Sequence, residues 1–281
     1  MNNSVFNHHT APTHYIEIEG IRFAYRRFGI PSEVPIVCLQ HFTGTLDNWD
    51  PIITNGLATQ RQVILIDNRG VGNSEGETPD NVQEMSFDAL KVIDALGIYY
   101  CDLLGFSLGG FIAQVMAIER PELFRKIIIV GSAPQGVKVL HTFPALIAKA
   151  MELKPAERFL FIFFTASEKS RAKGATTLLR LMERTTDRDK DAGLQAIEAQ
   201  ITAITRWGTD VVNIDLARIQ HPVLIINGSD DQMMESMNSI ELFKKIPNAL
   251  VSLYPDSAHG SFYQYPEIFV DQANSFLNKF A

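Results

Sequence analysis

The chain has 281 residues, 46% hydrophobic and 20% charged, enough apolar side chain for a full globular core and not the composition of a disordered protein. Twenty-five basic residues stand against 32 acidic ones, a formal charge of -7, with no run of Lys and Arg to form a phosphate-binding stripe. Nucleic acid and anionic membrane surfaces are therefore not expected partners.

The opening stretch, MNNSVFNHHTAPTHY, has no basic segment followed by an apolar run and does not read as a secretory signal. The most conspicuous apolar run, Phe159 to Phe164, is far too short for a membrane-crossing helix. The two cysteines, Cys38 and Cys101, lie in or beside apolar strand-like segments, which suits reduced thiols in a core better than a disulfide framework. Together these features predict a cytoplasmic protein.

Residues 1–13 read as a flexible polar leader. YIEIEGIRFAYRRFG then alternates apolar and polar side chains around Glu19-Gly20, the pattern of a half-buried antiparallel hairpin. Beyond it come short continuous apolar runs at Ile36-Leu39, Val63-Ile66, Leu103-Phe106, Ile127-Val130 and Val223-Ile226, and a last one, LVSLY, ending at Tyr254. Such runs predict strands buried on both faces, as in a mostly parallel sheet. Helical periodicity fills the gaps: Leu108, Phe111, Ile112, Val115 and Met116 share one face before Pro121 ends the segment. The expected fold is α/β, a mostly parallel central sheet with helices on both faces.

The alternation breaks once. After GSAPQG, residues 139–214 carry helical patterns and no convincing strand, and TASE, Thr165 to Glu168, offers a capping box. Pro222 opens the next buried strand, where a missing N–H is tolerated. The organisation predicted is one α/β core, residues 14–138 and 215–281, with an inserted helical cap, residues 139–214. No internal repeat or low-complexity tract is present.

The segment LLGFSLGGF, Leu103 to Phe111, sets a lone hydroxyl among glycines at the junction of a buried strand and a helix. G-F-S-L-G matches the nucleophile elbow, in which a strained turn thrusts the serine out at the carboxyl edge of the sheet. The residues two before and two after must lack bulk so that strand and helix can pass closely. A P-loop would need Lys and Ser or Thr after Gly110, where Phe111 and Ile112 stand; a dinucleotide fingerprint would need glycine where GVGNSEG has Glu75.

A serine hydroxyl needs an adjacent general base oriented by a third group. In this topology the order is Ser, acid, His. Of seven histidines, His41 and His259 sit in loops at apparent strand ends, and only His259, in YPDSAHGSF, follows a credible acid. Asp230 and Asp231 both lie just past the strand PVLIING; Asp231, three residues beyond Gly228, is preferred, leaving Asp230 to cap the loop or the next helix. Asp256, beside Pro255, reads as a turn former.

With Ser107, Asp231 and His259 in that order, the chain resembles the α/β-hydrolase family over nearly its whole length outside the leader and the cap. DNRGVGNS, Asp67 to Ser74, looks like the family's D-x-R-G-x-G-x-S loop, with Arg69 as its anchor. LQHFTGTLDNW resembles the family's His-Gly-Phe-x-Gly strand end, with Gln40 at the histidine, His41 at the glycine and Phe42 at the position supplying an oxyanion donor. His41 in place of glycine either reshapes the turn or points into the pocket. The resemblance implies acyl transfer through an ester on Ser107, with the N–H groups of Phe42 and Leu108 as the oxyanion hole and no metal or organic cofactor. It also implies a small-molecule substrate, expected to be a small or medium uncharged ester or related acyl compound. The cap stretch RFLFIFF and Trp207 are candidates to line its pocket. Similar proteins include carboxylesterases, cofactor-independent haloperoxidases that form peracids, lactonases and C–C bond hydrolases, and a small-ligand receptor with little turnover stands as the alternative of another class. No oligomeric state is legible.

Overall fold

The computed structural model describes residues 6–211 and 213–279. Strands β1 (His14–Ile18) and β2 (Ile21–Gly29) form the hairpin, turned by Glu19 (φ 52) and Gly20 (φ 80), whose left-handed backbone matches the twist of the flanking strands. There follow β3 (Ile36–Leu39), α1 (Pro51–Ala58), β4 (Gln62–Ile66), α2 (Val82–Ala95), β5 (Cys101–Phe106), α3 (Leu108–Glu119) and β6 (Phe124–Val130). Four helices then run without a strand: α4 (Phe143–Met151), α5 (Pro155–Phe163), α6 (Glu168–Leu181) and α7 (Leu194–Thr209). The chain closes with β7 (Val223–Gly228), α8 (Ser236–Lys245), β8 (Ala249–Tyr254), α9 (Ser261–Gln264) and α10 (Pro266–Lys279).

The eight strands make one sheet in the order β1-β2-β4-β3-β5-β6-β7-β8, parallel from β4 to β8 and antiparallel at β1–β2 and β2–β4. Every residue of β3, β5 and β7 is buried, because helices cover both faces. Side chains alternate between the two layers: Leu103 joins Phe111, Ile112 and Val115 on one face, while Leu104 and Phe106 join Trp49, Phe262 and Phe269 on the other. After β3 the chain leaves toward β4, and β5 returns on the opposite side of β3, so the carboxyl ends of β3 and β5 flank a topological switch point. Ser107 and Phe42 both lie in the loops that leave it.

The strandless helical segment between β6 and β7, termed the cap, is fastened to the rest of the chain by buried polar contacts. Arg26, fully buried, pairs with Asp47 (2.5 Å) and with Asp189 from the loop before α7 (3.4 Å), and Arg180 of α6 grips both carboxylate oxygens of Asp50. The cap of α6 lies two residues later than TASE predicts. Ser167 is the N-cap, accepting Ser170 N–H at 3.0 Å, because the helix begins only at Glu168; the Thr165 hydroxyl, two residues too early, donates to Asp256 Oδ1 (2.7 Å). Asp256 does occupy a turn (φ 45), and its carboxylate ties that turn to both cap hydroxyls.

Part of the expected flexible leader, residues 1–5, lies outside the described residues; of 6–13, Phe6, Asn7 and Thr10 are exposed, but the stretch is anchored to the core. His8 and Ala11 are buried, the Thr54 hydroxyl hydrogen-bonds His8 Nδ1 (2.9 Å), and Arg184 of the cap donates to the carbonyls of His8 and His9. Cys38 and Cys101 are free and buried. No helix among the described residues is long and apolar enough to cross a membrane.

Candidate active site

Ser107 sits between β5 and α3 at φ 55 and ψ -114, a backbone region that side-chain-bearing residues resist. The turn is held by Ser107 N–H donating to Val130 O (2.8 Å) and by Ser107 O accepting from Gly110 N–H (2.8 Å) and the Ser132 hydroxyl (3.0 Å). The flanking glycines are steric requirements. A Cβ on Gly105 would stand 2.3 Å from Gly109 O, and one on Gly109 would stand 2.1 Å from Leu39 O. Only glycine lets α3 start this close to β5 and to the end of β3.

His259 follows β8, and its Nδ1 lies 2.8 Å from Asp231 Oδ2, both residues being buried. Asp231 Oδ1 accepts the backbone N–H groups of Met233 (2.8 Å) and Met234 (3.0 Å), so the carboxylate is fixed before it meets the imidazole. An acceptor at Nδ1 places the proton there and leaves the Nε2 lone pair available. The ring packs against Phe106 and stacks on Phe163 of α5, with the neighbouring Gly260 N–H donating to Phe163 O (2.9 Å). Asp230 is exposed and takes a hydrogen bond from Ser229 Oγ (2.5 Å).

Ser107, His259, His41 and Phe42 line one cavity of about 380 Å³, roofed by Ile147, Phe159 and other cap residues. Among the described residues, the N–H groups of Phe42 and Leu108 have no acceptor. Leu108 is fully buried and Phe42 half-buried, and both stand at the switch point beside Ser107.

His41 does reach the cavity, and it also braces the turn. Burial pushes the imidazole down to about 3, so the ring is neutral, and Nδ1 donates to Phe42 O (2.7 Å). Gln40 Oε1 accepts the His41 N–H (2.9 Å). Arg69 lies away from the cavity and pairs with Asp88 of α2 (2.8 Å), while the fully buried Asp67 carboxylate holds Leu46 N–H and Asn73 N–H.

Of RFLFIFF, the side chains of Arg158, Phe159, Ile162 and Phe163 line the cavity. Trp207 does not. It stacks on Phe111 (5.1 Å, 12° between planes) and donates its indole N–H to Ala133 O (3.2 Å), because its face of α7 is buried against the core. Gln200, two turns earlier on the same buried face of α7, accepts Thr43 N–H at 2.6 Å. The sequence signal for it is a glutamine on an otherwise apolar stripe of Ala196, Ala199, Ala203, Ile204 and Trp207.

The model of the alpha/beta hydrolase fold family matches residues 34–266. A solved alpha/beta hydrolase fold protein from Chitinophaga pinensis is 64% identical, with a TM-score of 0.97 over 98% of this chain and all of that one. The 2-hydroxymuconate semialdehyde hydrolase of Pseudomonas sp. strain CF600 is 27% identical over 236 residues, 82% of this chain and 81% of its own. The mouse sn-1-specific diacylglycerol lipase ABHD11 is 23% identical over 235 residues, 78% and 72% of the respective chains. On its sheet, its elbow and the extent of this match, the chain belongs to the alpha/beta hydrolase fold family and is a hydrolase.

Proposed function

We propose that the protein is a serine hydrolase that cleaves a small or medium apolar ester through an acyl-enzyme on Ser107. The observation that carries this reading is the buried 2.8 Å pair of His259 Nδ1 and Asp231 Oδ2 lining up an imidazole in the same cavity as a serine held at φ 55. His259 Nε2 takes the Ser107 proton as Oγ adds to the acyl carbon. The resulting oxyanion is received by Phe42 N–H and Leu108 N–H, and Asp231 stabilises the imidazolium. The proton then passes to the departing alcohol, and a water, activated by the same imidazole, releases the acid. The apolar walls supplied by Ile147, Phe159, Ile162 and Phe163 favour an uncharged acyl chain, and about 380 Å³ is within the usual range of small-molecule sites.

A second reading, hydrolysis of a C–C bond, draws on the relative that acts on 2-hydroxymuconate semialdehyde. A series of p-nitrophenyl esters of rising acyl length separates the two. The ester reading expects repeated turnover, best at short to medium chains, and a loss of at least about a thousandfold in Ser107→Ala. A folded protein that turns over no ester of the series contradicts it and favours the C–C reading.

A further inference from the structure

The peptide groups on either side of Phe42 are both pinned. The His41 carbonyl accepts Gly44 N–H (2.9 Å), which fixes the peptide that carries the Phe42 N–H. The next peptide is held at both ends: Phe42 O accepts from His41 Nδ1 (2.7 Å), and Thr43 N–H donates to Gln200 Oε1 (2.6 Å). Two of these bonds arise within the turn. The third comes from α7, in the cap, 157 residues away in sequence.

Thr43 sits at φ 59, a left-handed conformation that a β-branched residue adopts only under constraint. Gln200 is fully buried, and its Nε2 has no partner among the described residues. A half-satisfied amide is a costly way to fill a helix face that leucine would fill without loss. The shortness of its one bond and the strain it opposes point to a role other than packing.

We propose that Gln200 is a positioning residue for the oxyanion hole: from the cap it holds Thr43 in its left-handed conformation and thereby aims the Phe42 N–H at the substrate oxygen. The hole is then complete only while α7 is seated on the core. This inference rests on the serine-hydrolase reading.

The test compares Gln200→Met, which keeps the length of the side chain and removes the oxygen, with Gln200→Glu, which offers an acceptor oxygen in either protonation state. For each, kcat and KM with p-nitrophenyl butyrate, the rate of fluorophosphonate labelling at Ser107 and the melting temperature are measured. Full loss of one oxyanion donor costs about a hundred- to a thousandfold, so a misaimed one should lower kcat of Gln200→Met by roughly ten- to a hundredfold. KM should stay within about threefold, and labelling should slow in parallel. Gln200→Glu should recover at least about tenfold over Gln200→Met. Equal losses in the two variants, an unchanged kcat in folded Gln200→Met, or a rise in KM matching the fall in kcat would overturn the proposal. If Gln200→Met does not fold, Gln200→Glu decides: kcat within about tenfold of the wild type sustains the proposal, and a larger loss in folded protein overturns it. Wild-type protein that takes no label would sink the serine-hydrolase reading itself, whereas labelled wild type with an equally fast Gln200→Met sinks this inference alone.

Discussion

Asp231→Asn changes one atom of the site. In the folded protein Oδ1 accepts two backbone N–H groups and Oδ2 faces His259 Nδ1. An asparagine can satisfy Met233 and Met234 only with its oxygen, which turns its NH2 toward the imidazole. His259 must then accept at Nδ1 and carry its proton on Nε2, where it cannot take one from Ser107. The expected loss in kcat is about ten-thousandfold, equivalent to about 5 kcal/mol of barrier. Because the backbone acceptor is kept, the cost to the fold is that of one charge-assisted hydrogen bond, about 1–3 kcal/mol, and the melting temperature should fall by only several degrees. Steady-state kinetics on an ester, paired with thermal unfolding, read both quantities. Asp230→Asn is the control: its carboxylate is exposed and meets only Ser229 Oγ, so activity should change less than about twofold. A loss of less than tenfold in Asp231→Asn, or an equal loss in Asp230→Asn, would refute the assignment of the acid.

Three further outcomes are expected. Gly109→Ala places its Cβ 2.1 Å from Leu39 O and should destabilise by about 3 kcal/mol or more, whereas Gly97→Ala, at φ 70 in open space, should cost only about 1 kcal/mol; thermal melts check the contrast. Burial, with the charge of Asp47 adding to it, pushes the Asp189 carboxyl up to about 6 against the pull of Arg26, so the folded protein holds this proton more tightly than the unfolded chain does. Stability from this group is therefore full below about pH 4 and is lost as pH rises through about 6; Asp189→Asn should remove that part of the decline, about 2–3 kcal/mol, in denaturant titrations at pH 4 and 7. Burial also raises both thiols, Cys101 to about 12, so iodoacetamide at pH 8 should leave Cys38 and Cys101 unmodified in folded protein and alkylate both after unfolding.

Much of the frame is legible in the chain because central parallel strands must be apolar throughout. Ile36–Leu39 and the four runs after it stand out for that reason, and each falls within a strand of the sheet. The last run, LVSLY, expected to be buried on both faces, falls in the edge strand β8, where Leu250 and Leu253 are exposed because β8 has a neighbouring strand on one side only. The elbow is readable because its glycines answer to contacts with backbone atoms that no other residue tolerates. Asp231 and His259 are brought together by topology: β7 and β8 are neighbours, so the loops at their carboxyl ends meet. The cap is less legible. Its helices are amphipathic toward both core and cavity, and periodicity alone does not separate Trp207, buried on Phe111, from Phe163, stacked on His259. Contacts across large sequence separation leave no local trace. Asp256 with Thr165, Arg184 with the leader carbonyls and Gln200 with Thr43 each join residues more than 85 positions apart. TASE misplaces the cap because the helix starts at Glu168: Thr165 and Ser167 both donate to the distant Asp256 carboxylate, and of the two only Ser167 also accepts a helix N–H.

The central claim is that Ser107 is an activated nucleophile, and the most direct test needs no knowledge of the substrate. A fluorophosphonate probe is incubated with wild-type protein and with His259→Ala, and the modified peptide is mapped by mass spectrometry. The account predicts a single adduct on Ser107 whose formation slows by at least about a hundredfold without His259. Folded protein without an adduct at Ser107, or labelling indifferent to His259, would contradict it.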